Sequence, residues 1–134
     1  MIIDANVAVY WAVPGAHTDH AAQIMSRPDL SAPSIIMAEV ANALINHARA
    51  KTIEYAQIGP MVSAVRRTIA ALVVDADLVP DALGISLAHN HKIYDCLYLA
   101  LAMQRREPLA TADRRLAALA QKLSIETELI EPAL

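Results

Sequence analysis

The feature that most constrains the fold is the regular alternation of short apolar runs with segments of helix length. The apolar runs predict five strands, at residues 1–4, 30–33, 72–74, 108–111 and 125–130. The segments between them predict helices, at residues 6–12, 17–27, 35–50, 54–71, 80–90, 93–106 and 113–123. Strands that alternate with helices favour a parallel sheet covered on both faces, because a crossover between parallel strands needs a helix's length of chain. The predicted fold class is therefore α/β.

Single residues refine the predicted helices. Ser34 precedes the helix at residues 35–50 and is a candidate for its N-cap. Gly59-Pro60 predicts an interruption of the helix at residues 54–71, and Pro80 is predicted to begin the next helix. Residues 93–106 are apolar almost all round, which indicates a buried helix. With 134 residues and no linker or repeat, the chain is expected to form a single domain over residues 1–134.

Composition limits the class of protein and its location. A hydrophobic fraction of 56% provides for a substantial core and excludes a disordered chain. The longest apolar runs are far shorter than the roughly 18–20 residues of a membrane span, and the N-terminus lacks the basic region of a signal peptide. The single cysteine, Cys96, excludes an intramolecular disulfide and is expected to be a buried small residue. A reducing cytoplasm is the simplest location.

Net charge and residue spacing exclude several kinds of site. The formal net charge is −3, so a nucleic-acid partner would have to be held by a local basic rim or by metal ions. The chain has 3 glycines, too far apart for a P-loop or a dinucleotide-binding turn. No serine lies in the context of a nucleophile elbow. The histidines show no zinc spacing, so they are expected at the surface or at helix ends.

Four acidic residues are more informative. Asp4 follows the first predicted strand, and a helix cap explains it as well as a functional role does. Glu39 lies on a helix stripe that also carries asparagines, and Asp113 follows the strand at residues 108–111. Taken alone, each of these two fits a solvated or capping residue better. Asp95 lies within an apolar helix, where an ionised carboxylate is costly unless it is capped, paired or metal-bound, so a functional role is favoured there.

Considered together, the four acids support a functional site more strongly than any one of them does alone. In a parallel sheet the ends of strands and the starts of the following helices meet at one edge, so the four carboxylates are expected to converge there. Several carboxylates so close together do not all ionise without cations, and hard oxygen ligands select Mg²⁺ or Mn²⁺. Such a site activates a water and neutralises charge on a phosphodiester. The sequence thus predicts a metal-dependent site for phosphodiester cleavage.

Four strings in the chain resemble the PIN-domain nucleases, and most closely the VapC toxins of toxin–antitoxin pairs. They are IDAN at residues 3–6, AEVANAL at 38–44, YDCLYLALA at 94–102 and TADRRL at 111–116. Each string is weak by itself, but the ordered set is specific and spans most of the chain. The resemblance implies a three-layer α/β/α sandwich around a parallel sheet of four or five strands. It also implies Mg²⁺- or Mn²⁺-dependent endonucleolytic cleavage of RNA, often transfer or ribosomal RNA.

The resemblance also implies roles for individual residues. The family's four acids fall on Asp4, Glu39, Asp95 and Asp113, which we predict to be catalytic and refer to as the acidic quartet. Asp4 and Asp95 are predicted to be primary metal ligands, with Asp113 as a further ligand and Glu39 completing the site or orienting the attacking water. Asn6 and Thr111 match the family's accessory polar positions. Apart from the resemblance, Arg114 and Arg115 are two basic residues beside an acid at a strand end, and we predict that they bind RNA phosphates.

The resemblance implies partners as well, and the chain departs from the family at one point. Members of the family are typically homodimers that are neutralised by a small antitoxin, whose C-terminal segment occupies the active-site groove. Some members carry a further acid just after the fourth, where this chain has Arg114 and Arg115. A second metal is therefore expected to be held weakly or recruited with substrate.

Two other classes of protein remain as alternatives at this point. A phosphoacceptor signalling domain has a similar length, and Asp75 and Asp77 follow a predicted strand as its acceptor would. That class needs an acidic pair after the first strand and a lysine after the last one, and this chain has neither. The second alternative is a non-catalytic interaction domain in which all four acids are caps and surface charges. Metal titration separates these alternatives from a nuclease.

Overall fold

A computed structural model describes residues 1–133 of the chain. Its strands are β1 (Ile2–Ile3), β2 (Ser31–Pro33), β3 (Ala71–Val73), β4 (Leu109–Thr111) and β5 (Thr127–Leu129). Its helices are α1 (Ala5–Ala12), α2 (Thr18–Met25), α3 (Ile36–Arg49), α4 (Tyr55–Thr68), α5 (Asp75–His89), α6 (Ile93–Arg105) and α7 (Arg114–Lys122). Every predicted strand is present, and the prediction of an α/β fold is confirmed.

The five strands form one parallel sheet in the order β3-β2-β1-β4-β5. The chain starts in the middle at β1, moves outward through β2 to β3, and then returns to the other side of β1 for β4 and β5. Since such crossovers are right-handed, the helices of the two halves cover opposite faces of the sheet. The strand order reverses between β1 and β4, which pair through Ile3 and Ala110, and ligands of such folds bind at the carboxyl ends of the strands at this point.

The central strands and helix α6 form the core. Both residues of β1 and all three residues of β4 are buried, as expected for parallel strands covered on both faces. In α6 the run from Asp95 to Ala102 is buried without interruption, which confirms the prediction of a buried helix there. Because α6 packs against β1, β2 and β4, its first turn lies beside the carboxyl ends of the central strands.

The predictions at two prolines were wrong. Helix α4 continues through Gly59-Pro60, and α5 begins at Asp75 rather than at Pro80. Both prolines lie at exposed positions, where water can satisfy the carbonyl group that loses its intrahelical N–H partner. Acidic residues in the first turn of α5 favour its earlier start, because they interact well with the helix dipole.

The expected cap of α3 was also wrong. Ser34 makes no side-chain bond to the start of this helix. Instead, the backbone N–H of Ile35 donates to Asp75 Oδ1 at 3.1 Å, so a carboxylate from the start of α5 satisfies it. Within the described part of the chain, none of the helices has the length and apolar character needed to cross a membrane.

Candidate metal centre

All four members of the acidic quartet line one depression of about 360 Å³. We call it the acidic cleft. Asp4 comes directly after β1 and Asp113 follows β4, so these two reach the cleft from adjacent strand ends. Glu39 reaches it from the first turn of α3, and Asp95 from the first turn of α6. The structure therefore brings together the four acids that the sequence singled out, at the edge where they were expected.

Asp4 is both a helix cap and a wall of the cleft. Its Oδ1 accepts a hydrogen bond from the backbone N–H of Ala5 at 2.7 Å. Its Oδ2 accepts bonds from Thr111 Oγ1 at 2.8 Å and from Asn6 Nδ2 at 3.0 Å. Three donors on a carboxylate with 7% exposure fix its orientation closely. The capping interpretation and the functional interpretation of Asp4 thus apply to the same side chain.

The electrostatics of Asp4 explain why a cation suits this cleft. Burial, helped by the charges of Asp95 and Glu39, raises the pKa of its carboxyl group to about 7, against the opposing effect of the hydrogen bonds from Thr111 and Ala5. Positive charge close to a carboxyl group with a raised pKa lowers that pKa and favours the ionised form. A divalent cation supplies that charge.

The two predicted accessory residues join the ends of β1 and β4. Thr111 Oγ1 donates to Asp4 and accepts the backbone N–H of Asp113 at 3.0 Å. Asn6 accepts the backbone N–H of Ala112 through Oδ1 at 3.0 Å, while its amide donates to Asp4. These bonds fix the relative positions of the first and fourth acids, which lie 109 residues apart in the sequence.

Glu39 is held by a residue that the sequence analysis did not single out. Tyr98 is completely buried in α6, and its hydroxyl donates to Glu39 Oε1 at 2.6 Å. Burial and the neighbouring carboxylates raise the pKa of Tyr98 well above its usual range, so the phenol stays protonated and remains a donor. Burial also raises the pKa of Glu39, against the effect of this hydrogen bond. Tyr98 follows Asp95 by three residues and therefore shares a helix face with it, and this spacing could have identified Tyr98 as part of the site.

Asp95 also has a partner that the sequence analysis missed. His91 Nε2 lies 2.7 Å from Asp95 Oδ2. His91 lies between the end of α5 and the start of α6, as expected of a helix-end histidine, but with 9% exposure it is buried and not at the surface. The Lys92 ammonium lies 3.7 Å from the other oxygen, Oδ1. Burial of a carboxylate among apolar residues requires such partners. The spacing of four residues between His91 and Asp95 could have identified this pair in the sequence.

Asp113 caps α7 as well as lining the cleft. Its Oδ1 accepts the backbone N–H groups of Arg115 at 2.9 Å and Leu116 at 3.2 Å. Arg115 lines a smaller depression of about 200 Å³ together with His91, Lys92, Asp95 and Asp113. We call this depression the side cleft; it adjoins the acidic cleft through three shared residues, Lys92, Asp95 and Asp113.

The two predicted RNA-binding arginines have different surroundings. Arg114 is paired with Glu131 at 3.2 Å, and it lines neither cleft. Arg115 lines the side cleft, where Lys92 is the second cationic side chain. Lys92 also lines the acidic cleft, and the sequence analysis did not single it out. The basic rim expected from the acidic net charge therefore consists of Lys92 and Arg115 beside the acidic quartet.

The chemistry of the donors fits a hard divalent cation. The acidic quartet offers carboxylate oxygens, and the charges of Asp95 and Glu39 both disfavour ionisation of Asp4, as expected of ligands that share an ion. Within residues 1–133, no three acidic, histidine or cysteine side chains are gathered closely enough to form a ready-made metal cage. Mg²⁺ does not need such a cage, since it usually binds through one or two carboxylates and keeps several waters.

Cys96 takes no part in this chemistry. It is completely buried, which confirms its expected role as a small core residue. Burial raises the pKa of its thiol to about 11, so the reactive thiolate is not populated near neutral pH. The oxygen ligands are therefore the relevant ones.

Asp75, one of the two residues proposed as acceptor in the phosphoacceptor alternative, is engaged elsewhere. Its carboxylate accepts the N–H of Ile35 and caps α3. It lines neither cleft. The interpretation of this residue as a phosphoacceptor therefore has no support in the structure.

Comparison with known proteins gives the same family as the resemblance in the sequence. Residues 1–122 match the model of the PIN domain. Over 120 residues the chain is 30% identical to Ribonuclease VapC3 of Pyrobaculum aerophilum, covering 87% of this chain and 92% of that protein. The crystal structure of PAE2754 from Pyrobaculum aerophilum superposes with a TM-score of 0.72 at 21% identity, covering 94% of this chain and 81% of that one. The chain therefore belongs to the PIN-domain family, as a VapC-like member.

Proposed function

We propose that this protein is a Mg²⁺- or Mn²⁺-dependent endoribonuclease and the toxin of a toxin–antitoxin pair. The observation that carries the proposal is the convergence of the acidic quartet in one cleft at the ends of β1 and β4. The similarity to a VapC ribonuclease supports RNA as the substrate. A cytoplasmic location and a small cognate antitoxin belong to the same proposal.

In the proposed mechanism Asp4, Asp95 and Asp113 would hold the divalent cation. When bound, the cation would supply a lowered pKa for a water molecule and positive charge beside the phosphate that is attacked. Glu39 has Oε1 fixed by Tyr98, which leaves Oε2 to orient the water and accept its proton. Burial raises the pKa of Glu39, which makes its carboxylate a stronger proton acceptor than an exposed one. The water oxygen forms a bond to phosphorus as the bond from phosphorus to the leaving nucleotide oxygen breaks.

The two clefts suggest a path for the RNA strand. They share Lys92, Asp95 and Asp113 as lining residues, so a strand that occupies both clefts passes the predicted metal ligands among them. Lys92 and Arg115 supply positive charge along this path, and phosphate contacts of this kind do not depend on the base. The path agrees with a single-stranded or locally unpaired substrate, whose backbone can bend into a small cleft.

The direct test of the proposal is RNA cleavage by the purified chain. Cleavage is expected with Mg²⁺ and with Mn²⁺ and is expected to stop when EDTA removes the metal. Cleavage at full rate in EDTA would rule out the metal-dependent mechanism. Cleavage that needs the metal but gives mononucleotides from one end would instead replace the endonuclease with an exonuclease.

Neighbouring arginines allow a test of RNA binding with a matched control. We expect Arg115→Ala to weaken RNA binding and to lower the slope of log affinity against log salt by about one, because one fewer phosphate is neutralised. Arg114→Ala removes the same charge from the next residue, which pairs with Glu131 outside the clefts, and should leave this slope unchanged. Filter binding with Ca²⁺ in place of Mg²⁺ measures both slopes. Equal slopes for the two variants would contradict the proposed path.

A homodimer is proposed on the apolar face of α5. Val79, Leu83 and Leu87 recur every four residues, lie on one side of this helix, and are 40%, 47% and 77% exposed. Single exposed apolar residues are normal on a protein surface, but a contiguous stripe indicates a contact surface. Burial of this stripe against a second copy agrees with the high hydrophobic content of the chain. The family resemblance supports the same assembly.

A single substitution on this stripe tests the dimer. We expect Leu87→Asp to convert the protein into a monomer in sedimentation experiments at micromolar concentration, because a charge would be buried in the contact. Tyr55→Asp serves as the control, since Tyr55 on α4 is 63% exposed but lies outside the stripe. Wild-type protein that sediments as a monomer at these concentrations would contradict the proposed assembly.

A further inference from the structure

The junction between α5 and α6 is built to hold one histidine side chain in place. Helix α5 ends at His89, and its C-cap residue Asn90 adopts the left-handed conformation with φ 50°, which asparagine tolerates better than most residues. The chain therefore turns sharply, and His91 follows at once. The backbone N–H of His91 donates to the carbonyl of Ser86 at 3.3 Å, and its own carbonyl accepts Ser86 Oγ at 2.6 Å. These bonds fix the backbone from which the imidazole projects.

The imidazole has one close polar partner, the carboxylate of Asp95. The distance from His91 Nε2 to Asp95 Oδ2 is 2.7 Å, and the two side chains are 7% and 11% exposed. An ionised carboxylate accepts only, so Nε2 carries the proton and donates. Such a short, buried, charge-assisted hydrogen bond restricts rotation of the carboxylate about its χ2 torsion.

The direction of this bond assigns different tasks to the two oxygens of Asp95. His91 lines the side cleft and not the acidic cleft, whereas Asp95 lines both. The histidine therefore bonds Oδ2 from the side cleft, which neither Asp4 nor Glu39 lines. Within residues 1–133, the charged group beside the second oxygen, Oδ1, is the exposed Lys92 ammonium, at 3.7 Å. Oδ1 is the oxygen that is left for a ligand.

From this geometry we infer that His91 is a positioning residue, which orients Asp95 so that Oδ1 is presented to the divalent cation. The inference rests on the proposed metal-dependent function and extends it to a residue outside the acidic quartet. His91 does not touch the cation or the RNA in this scheme. Its effect is to preorganise one ligand, and hydrogen-bond partners of metal ligands typically change metal affinity by about 10- to 100-fold.

The alternative is that the pair only stabilises the α5–α6 junction. The two roles differ in what they predict for Mn²⁺ binding by a folded variant. A junction role predicts a lower melting temperature with unchanged affinity of the folded protein for Mn²⁺. A positioning role predicts weaker Mn²⁺ binding even where the variant is fully folded, and its recovery when a donor is restored at the position of Nε2.

Three variants separate these roles. His91→Leu removes the donor with little change of volume. His91→Gln restores an N–H donor at the same number of bonds from the backbone as Nε2. His20→Leu is the matched control, because His20 Nε2 bonds Glu128 Oε1 at 3.1 Å in a similar histidine–carboxylate pair outside both clefts. All three are compared with wild type at a temperature where circular dichroism shows them folded.

The measurement is the dissociation constant for Mn²⁺ without RNA, taken from the electron paramagnetic resonance signal of free Mn²⁺. We expect His91→Leu to weaken Mn²⁺ binding by about 10- to 100-fold, and His91→Gln to recover to within about threefold of wild type. His20→Leu should bind as wild type does. If His91→Leu does not fold, His91→Asn replaces it, because its amide is one carbon too short to take the place of Nε2.

The outcomes are separable from those of the proposed function. Unchanged Mn²⁺ affinity in folded His91→Leu, or equal weakening in the leucine and glutamine variants, would overturn the positioning role. If His91→Asn is the comparison, equal affinities for the asparagine and glutamine variants would overturn it too. Wild-type protein that binds Mn²⁺ but cuts no RNA would overturn the nuclease proposal alone, because the Mn²⁺ measurement uses no RNA.

Discussion

Asp4→Asn and Asp95→Asn are each expected to slow RNA cleavage at saturating Mn²⁺ by about a hundredfold or more, equivalent to roughly 3 kcal/mol of lost transition-state stabilisation. Both substitutions preserve side-chain volume and remove one negative charge from a cleft that holds four acids. The cation then loses an anionic ligand, so the activation of water and the neutralisation of the phosphate both suffer. The measurement is the initial rate of cleavage of a labelled RNA, with the metal concentration raised until the rate no longer changes.

Asp19→Asn provides the matched control for these two variants. Asp19 is an exposed aspartate in the first turn of α2 and lies outside both clefts. Its substitution removes the same charge and should leave the rate within a factor of about two, since surface changes away from a site have small effects. If Asp4→Asn and Asp95→Asn cut RNA as fast as this control, the acidic quartet is not the catalytic centre.

The sequence was sufficient to locate the acids because burying a charge is costly. Asp95 lies in a string of apolar residues, so it was expected to be capped, paired with another charged group or bound to a metal ion. Asp4 and Asp113 follow apolar runs that are too short to be helices, which placed them at strand ends. The convergence of these positions follows from the parallel sheet, because its carboxyl ends share one edge.

The partners of the acids were harder to predict because they depend on helix orientation and on contacts between distant segments. Tyr98 meets Glu39 across 59 residues of sequence, and this contact requires the packing of α6 beside the central strands. His91 meets Asp95 only because Asn90 turns the chain between two helices. No local pattern specifies such a turn, since asparagine occurs in many other conformations as well.

The two prolines show a second reason why the sequence alone did not predict the structure correctly. Pro60 and Pro80 are exposed, so the unpaired carbonyl groups in the preceding turns can be satisfied by water and the helices continue. Whether a proline ends a helix thus depends on the burial of its surroundings, which the local sequence does not give. The capping of α3 by Asp75 likewise depends on the neighbouring strand β3, whose end lies beside that of β2.

The second large effect is expected on stability in the absence of metal. Burial raises the pKa of Asp4 from its ordinary 3.8 to about 7, so the folded protein retains a proton that the unfolded chain releases between these pH values. Stability then falls as pH rises through this window, because the folded state binds more protons there than the unfolded state. Over the whole window the loss attributable to Asp4 is roughly 4 kcal/mol. Glu39, whose pKa is also raised, adds a loss of the same sign.

Asp4→Asn should remove the contribution of Asp4. In EDTA at pH 8 we expect this variant to unfold at a higher urea concentration than wild type, by about 2 kcal/mol in free energy once the less complete hydrogen bonding of the amide is allowed for. At pH 4 the wild-type acid is already protonated, so the advantage of the variant should disappear. Adding Mg²⁺ at pH 8 should reverse the order of stability, because only wild type retains the full ligand set. If Asp4→Asn is less stable than wild type at pH 8 in EDTA, the ionised Asp4 does not destabilise the metal-free protein, and its main role is that of an ordinary helix cap.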